Sequence, residues 1–208
     1  FFTYVPNGLD GKGTIQFDAA DTLEFGPVSG TKMVFAVLKQ DGAQSSETFP
    51  FGGDLVGTTS AGKWGLKRSG TAILDSGIAS SAFAVICYQV EGGAYILYVN
   101  GVNMGEGTDS QTISALDKLG GTLKGEIAEA VAYNRVLPGL AREKIEGYLA
   151  HKWGLEGQLP STHKYSVALP TFGGAQEIAF QPISDKTPAS APFTVTAEAS
   201  SGLPVTFD

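Results

Sequence analysis

The chain has 208 residues and a formal net charge of −7, with 17% charged and 42% hydrophobic residues. An acidic chain without a basic cluster repels phosphate groups, so we expect nucleic acids and anionic membrane surfaces to be poor partners. No apolar run reaches the roughly 20 residues that a membrane-spanning helix needs. The single cysteine, Cys87, forms neither an intrachain disulfide nor a zinc site.

Short β-type segments recur along the chain, with Gly, Asn, Asp and Ser between them. They are residues 13–17, 22–25, 32–39, 55–59, 63–67, 71–74, 83–90, 94–99 and 122–133. Residues 32–39 are nearly all apolar, which is typical of a central strand covered on both faces. Asn100-Gly101 predicts a two-residue hairpin, because both positions tolerate positive φ. Many short strands separated by turns predict an all-β sandwich of the jelly-roll type.

A segment of helical periodicity follows the last of these strands. Over residues 138–153 apolar side chains recur at spacings of three and four, namely Ile145, Tyr148, Leu149 and Trp153. The spacing predicts one amphipathic helix of about three turns, which ends near Gly154 and packs its apolar stripe on the sandwich. Charged residues are expected on the exposed surface of this helix, namely Arg142, Glu143, Glu146 and Lys152.

The composition changes after residue 170, which predicts two domains, 1–170 and 171–208. Residues 171–174 are typical of a linker, and residues 193–197 and 203–207 predict two further strands. A segment shorter than about 40 residues rarely buries a core of its own. The second part is therefore predicted to be the beginning of another β domain.

The closing strand and the helix resemble those of bacterial laminin G-like domains, which belong to the concanavalin A-like lectin group. Residues 125–137, GEIAEAVAYNRVL, are similar to the pattern G-x-I-x-E-V-x-x-Y-N-R-x-L of these domains, and residues 143–155 are similar to the helix that follows it. Residues 7–18 and 97–101 resemble the opening segment and the penultimate hairpin. The resemblance covers roughly residues 4–169. It implies a concanavalin A-like jelly-roll β-sandwich whose N-terminal strand is missing here.

The tail resembles the immunoglobulin-like repeats of large bacterial surface proteins over residues 183–187, 191–195 and 201–206. The resemblance implies a partial immunoglobulin-like β segment after the sandwich. A missing strand and an incomplete repeat would leave a sheet edge open to a strand from a neighbouring copy. One alternative function is therefore that of a structural subunit or spacer in a surface filament or layer, assembled by strand exchange.

A glycoside hydrolase is a second alternative, because some of these enzymes share the sandwich. Retaining glycosidases need two carboxylates about 5 Å apart on one face. Strict alternation along the closing strand places Glu126 with Ala128 and Ala130, and Glu129 on the opposite face. Glu126 then stands alone. We therefore expect it to be a ligand-binding residue, and we expect no catalytic residues.

Calcium is the cofactor that the resemblance implies, since such modules often hold it with aspartates and loop carbonyls. Asp18 and Asp21 lie in one predicted loop, and Asp54 follows two glycines. Calcium prefers several oxygen ligands, which these side chains would supply. Solvated turn aspartates are the alternative interpretation of all three.

Two aromatic residues close to predicted loops, Trp64 and Phe51, are candidates for stacking on a sugar ring. A place in the core is the alternative for both. Together the patterns and the resemblance predict a non-enzymatic module that is secreted or displayed at the cell surface. It would bind a glycan or another cell-surface ligand as part of a large bacterial adhesin or secreted multidomain protein. Its other partners would be neighbouring domains of the same protein or strand-exchanging copies.

Overall fold

The structure is a computed structural model, and it describes residues 1–42, 51, 56–58, 62–68, 71–108, 116–172, 178–180, 187, 194 and 196–199. The chain divides into two compact units, Phe1–Pro170 and Thr171–Asp208. The first unit contains the helix and all but two of the described strands.

A seven-stranded antiparallel sheet forms the centre of the first unit. In spatial order its strands are β1 (Thr3–Leu9), β2 (Lys12–Asp18), β12 (Lys124–Tyr133), β4 (Met33–Gln40), β8 (Ala84–Glu91), β9 (Ala94–Val99) and β10 (Val102–Thr108). Two smaller sheets accompany it. One pairs β3 (Leu23–Val28) with β11 (Leu116–Leu119), and the other contains β5 (Val56–Thr58), β6 (Lys63–Arg68) and β7 (Thr71–Ala79).

The helix α1 spans Gly139–Lys152, and a 3₁₀ turn at Glu156–Gln158 follows it. Both the helix and the mostly β architecture confirm the predictions from the sequence. Pro138 precedes the first helical residue, and Gly154, with a φ of +67°, follows the helix end. Glycine is favoured at that position because a side chain disfavours positive φ.

The structure also contains strands that the sequence pattern did not indicate, namely β1, β10 and β11. Pro6 and Gly8 interrupt the apolar alternation of β1, and Gly105 interrupts that of β10. Both are edge strands, whose outer sides contribute little to the core. Their sequences therefore carry a weak β pattern.

The inner face of the large sheet packs against the two smaller sheets. Val34, Ala36 and Leu38 of β4 point into this core, together with Trp64 of β6. Trp64 is 0% exposed and Phe51 is 5% exposed, so neither ring offers a face to a ligand. The expectation that Trp64 and Phe51 stack on a sugar is therefore corrected, and both are core residues. Large rings are placed inside because their burial removes the most apolar surface from water.

The outer face of the large sheet is covered in part by α1. The remaining residues of β4, Met33, Phe35 and Val37, contact Leu149 and Trp153 in a second apolar cluster. Burying one such side chain stabilises the fold by about 1.5–3 kcal/mol. β4 is covered on both faces, which explains its nearly continuous apolar sequence and confirms that prediction.

Two charged residues of α1 are not on its exposed surface, contrary to expectation. Glu146 is 0% exposed, and Arg142 lies beside it with its Nη1 2.6 Å from the Glu146 Oε1 atom. The Arg142 guanidinium stacks on the Tyr98 ring at 3.9 Å, and His163 Nε2 lies 3.4 Å from Glu146 Oε2. The charges are buried because they neutralise and hydrogen-bond one another. The spacing of apolar residues could not predict the burial of Glu146, because this residue is charged and lies next to the apolar Ile145 in the sequence and not within the apolar stripe itself.

The two edge strands of the large sheet, β1 and β10, are both irregular. The register of β1 shifts between Val5 and Leu9, around Pro6, and the register of β10 shifts between Asn103 and Gly105. Bulges and prolines in edge strands hinder pairing with a further strand. The resemblance implies an open sheet edge that accepts a further strand. Both edge strands of the large sheet are poorly suited to that role.

The second unit contains a short antiparallel pair, β13 (Ile178–Phe180) and β14 (Ala197–Ala199). The strand predicted at 203–207 and most of that predicted at 193–197 lie outside the described residues. The immunoglobulin-like character of this unit stays a prediction. Within the described part of the chain, no helix has both the length and the apolar character needed to cross a membrane.

Candidate functional site

A β-bulge in β12 decides which way its two glutamates point. Ile127 pairs with Leu38 and Glu129 with Val37, so Ala128 is an extra residue without a partner on β4. An extra residue reverses the alternation of side chains beyond it. Ile127 packs in the inner core, and Glu129 is paired with an outer-face residue. Glu126 and Glu129 therefore lie on the same outer face, which corrects the expectation of opposite faces.

Glu129 anchors the C-terminal end of α1. Its carboxylate accepts a hydrogen bond of 2.7 Å from the indole Nε1 of Trp153 and lies 2.9 Å from the Lys152 ammonium. The hydrogen bond to Glu129 raises the pKa of Lys152. Because both carboxylate oxygens have partners on the helix, Glu129 is used to hold α1 on the sheet.

Glu126 has different partners on the neighbouring strands. Thr14 Oγ1 on β2 donates a 2.5 Å hydrogen bond to its Oε2, and Lys39 Nζ on β4 lies 2.8 Å from its Oε1. The side chain of Glu126 is 10% exposed and that of Lys39 is 26% exposed. The hydrogen bond to Glu126 raises the pKa of Lys39, whose ammonium also lies 5.3 Å from the centre of the Phe83 ring. The pair is therefore ordered but still reaches solvent.

Two more polar side chains adjoin this pair. Asp41 lies 3.7 Å from the Lys39 ammonium, and the Gln16 amide lies 3.5 Å from the Asp41 carboxylate. Gln16 is exposed and Asp41 is about one-third exposed. These five residues are called the outer-face polar patch: Thr14, Gln16, Lys39, Asp41 and Glu126.

The N-terminal strand β1 closes tightly on this patch at Gly8. A Cβ atom at Gly8 would lie 1.9 Å from Thr14 Oγ1 and 2.9 Å from Glu126 Oε2. Real Cβ atoms do not approach other atoms so closely, so only glycine lets β1 pass beside the Thr14–Glu126 hydrogen bond. The patch therefore depends on a residue that is distant from Glu126 in the sequence.

Of the five patch residues, the sequence predicts only Glu126 as a binding residue. The alternation in β2, KGTIQFD, does place Thr14 and Gln16 on one face of the strand. Lys39 and Asp41 follow the apolar run of β4. What the sequence lacked was the pairing of β12 with both β2 and β4, which brings these strands together.

The predicted calcium ligands Asp18 and Asp21 lie in one turn, and each carboxylate has a protein partner of its own. Asp18 is 80% exposed and its nearest charged partner is Lys124, at 3.9 Å. The Asp21 carboxylate accepts a 3.3 Å hydrogen bond from the backbone N–H of Asp18, as in a turn-stabilising aspartate. Asp54 lies outside the described residues. In the portion of the chain that the structure describes, no three His, Cys, Asp or Glu side chains are grouped so as to hold a metal.

Two solved structures share this fold at low sequence identity. Domain 4 of AbnA, a GH43 extracellular arabinanase from Geobacillus stearothermophilus in complex with arabinotriose, has a TM-score of 0.52 and 16% identity, covering 67% of this chain and 78% of that domain. Trypanosoma rangeli sialidase in complex with sialic acid has a TM-score of 0.54 and 13% identity. That match covers 73% of this chain and 29% of the sialidase, so the chain spans less than a third of that enzyme's length. No protein-family model and no curated protein matches the sequence. The likeness concerns the fold alone, and it confirms the predicted β-sandwich.

Proposed function

We propose that this chain is a non-catalytic extracellular carbohydrate-binding module of a larger protein, and that the outer-face polar patch holds the sugar. The observation that supports it best is the patch itself, an ordered set of donors and acceptors in which Gln16, Lys39 and Asp41 reach solvent beside the nearly buried Glu126. The AbnA domain of similar fold, in complex with arabinotriose, is consistent with this role. Membership of the laminin G-like group and secretion or display at the cell surface are part of the same proposal.

The chemistry of the patch suits neighbouring hydroxyl groups of a sugar. Each Glu126 oxygen has one protein partner, which leaves acceptor capacity for a sugar O–H. The Gln16 amide both donates and accepts, and the Lys39 ammonium donates to a sugar oxygen. Because Lys39 and Glu126 fix each other, little side-chain entropy is lost when a ligand binds.

Hydrolysis is not the function we propose, although the bulge places Glu126 and Glu129 on one face. A glycosidase requires one carboxyl group to protonate the leaving oxygen and another to attack or to activate water. Here Glu129 is bound by Trp153 and Lys152, and Glu126 is bound by Thr14 and Lys39. Neither carboxyl group is left free for that chemistry.

Strand exchange is the weaker candidate for the described unit. Its support is that β1 lies at the edge of the large sheet. Pro6 and the shifted register of β1 oppose the addition of a strand. Size-exclusion chromatography and electron microscopy of the purified chain test this alternative, since filaments or concentration-dependent oligomers would favour it.

The decisive experiment is a glycan-array screen of the purified chain, carried out in parallel with calcium and with EDTA. Selective binding supports the proposal, and the Glu126→Gln variant should lose at least about ten-fold in affinity if the patch holds the sugar. The control is Glu91→Gln, an exposed glutamate at the opposite end of the same sheet. If the wild-type chain bound no glycan, the proposal would be contradicted. Equal affinities of the Glu126→Gln and Glu91→Gln variants would contradict it as well.

The same screen addresses calcium. Loss of binding in EDTA would make Asp18, Asp21 and Asp54 the first aspartates to replace by asparagine. Unchanged binding in EDTA would remove calcium from the proposal and leave carbohydrate binding in place. A reducing-sugar assay on the bound glycans would reveal hydrolysis, which would contradict a non-catalytic role.

A further inference from the structure

Around the outer-face polar patch, the ammonium groups balance all but one of the carboxylates, which leaves an excess of negative charge. The described side chains around the patch contribute four carboxylates, on Asp10, Asp18, Asp41 and Glu126, and three ammonium groups, on Lys12, Lys39 and Lys124. The remainder is one negative charge, on a chain whose net charge is −7. A ligand that carries a carboxylate or sulfate would meet a negative potential at this surface.

Each of these ammonium groups already faces a carboxylate, and Lys12 pairs with Asp10. Lys39 lies 2.8 Å from Glu126 and 3.7 Å from Asp41, and Lys124 lies 3.9 Å from Asp18. An acidic sugar would have to displace Glu126 from Lys39 and leave a largely buried carboxylate without its cation. That exchange is unfavourable, because a carboxylate removed from water depends on its partner.

The segment that follows Asp41 in the sequence supplies no cation. Residues 42–62, which follow Asp41 in the chain, contain no lysine or arginine. Arginine is the residue best suited to bind a carboxylate, since its guanidinium makes two parallel hydrogen bonds. Arg142, which lies on the outer face beside Tyr98, is already paired with Glu146.

From these observations we infer that the patch selects neutral saccharides and rejects sialylated, uronic and sulfated ones. The inference rests on the proposed function and narrows it to a class of ligand. A neutral sugar hydroxyl donates to Glu126 and accepts from Lys39 without separating the two. An added anionic group meets no unpaired cation among the described side chains of the patch, and it is repelled by Asp41 and Asp18.

The test uses an array that prints neutral glycans beside their sialylated, uronic and sulfated counterparts. For the neutral glycan that binds best, the acidic counterpart should bind at least about five-fold more weakly at low salt. This difference in affinity should shrink as added salt screens the repulsion. Calorimetry in EDTA on the best pair excludes a bridging calcium ion. Equal or stronger binding of the acidic counterpart would overturn the inference while leaving carbohydrate binding intact.

A variant identifies the charge responsible. Glu126→Gln frees Lys39 from its carboxylate, so the ratio of acidic to neutral binding should rise by at least about three-fold, even where overall affinity falls. Glu91→Gln changes the net charge equally at the opposite end of the sheet and should leave the ratio unchanged. Equal ratios in the two variants would show that net charge, and not the patch, sets any preference. Absence of binding to every neutral and acidic glycan would instead overturn the proposed function together with this inference.

Discussion

The outer face of the large sheet has two parts that use charged residues in opposite ways. Under α1, Glu146 is completely buried with Arg142 and His163 as partners. Beyond the helix, Glu126 has equally close partners, but Lys39, Asp41 and Gln16 around it reach solvent. A covered ion pair contributes to the arrangement of the fold, whereas an accessible one can also bind a ligand. Coverage by the helix, and not residue type, makes the difference.

Glu129 lies at the boundary between the two parts. It is three residues from Glu126 on the same strand and the same face, yet its oxygens are bound by Trp153 and Lys152. The bulge at Ala128 places it there. The boundary between the structural part and the proposed binding part is therefore set by one extra residue in β12.

The largest expected effect comes from the covered part. Glu146→Ala leaves Arg142 nearly buried without its carboxylate, and should lower the free energy of unfolding by about 3 kcal/mol or more. Urea denaturation followed by circular dichroism measures this. Glu143→Ala is the control, because it removes a one-third exposed carboxylate that lies 3.8 Å from Arg142 Nη2, and it should change stability by less than about 0.5 kcal/mol. Similar losses in both variants would contradict the special role of the buried pair.

The boundary residue should have the next largest effect. Glu129→Ala leaves the indole N–H of the nearly buried Trp153 without its acceptor, which should cost about 2 kcal/mol of stability. Glycan binding by the folded variant should be unchanged, because Glu129 does not belong to the patch. A variant with wild-type stability and lost binding would place Glu129 in the ligand site instead.

A substitution at Gly8 should act on the uncovered part. Gly8→Ala forces a Cβ atom against Thr14 and Glu126, and should cost about 1–2 kcal/mol in stability. Binding should weaken as well, because Glu126 has to move. The matched control is Gly26→Ala, in strand β3, where a Cβ atom meets nothing within 4 Å. A Gly8→Ala protein with wild-type stability and binding would refute the tight closure of β1 on the patch.

The smallest effect is the pH dependence of the Lys39–Glu126 pair. The pKa of Lys39 is raised above its ordinary value of 10.5 in the folded state, so the folded protein holds this proton more tightly than the unfolded chain. The resulting stabilisation is complete below pH 10.5 and is lost as the pH rises through the folded-state pKa. The stability difference between wild type and Lys39→Met should shrink as the pH rises through the folded-state pKa of Lys39, and the part that changes with pH should be below about 1 kcal/mol. A difference that grows with pH would contradict this sign.

Several features of the fold followed from the sequence because they depend on local patterns. The apolar run of β4, the Asn100-Gly101 turn and the helix over Gly139–Lys152 all appeared where the pattern indicated. In the turn Asn100 and Gly101 have φ values of +49° and +78°, as the two-residue hairpin requires. Alternation, helical spacing and turn residues act over a few positions, so one sequence is enough to read them.

The candidate site followed only in part. Glu126 was identified as a carboxylate that strict alternation left alone on its face, although the bulge at Ala128 places Glu129 on that face as well. Its partners Thr14 and Lys39 come from strands 112 and 87 residues away in the chain, and no local pattern specifies that pairing. Trp64 and Phe51 were misplaced for a related reason, since aromatic residues beside glycines occur both at surfaces and in cores.

The sequence by itself therefore determined the class of fold, the central strand and the helix, through short-range preferences and the burial of apolar side chains. The tertiary structure decided which charged residues are buried and which stay accessible. It did so through the bulge at Ala128, the docking of α1 over one part of the sheet and the close passage of β1 at Gly8. These depend on strand register and on contacts between distant segments, whose energies are set by packing and desolvation in the assembled fold.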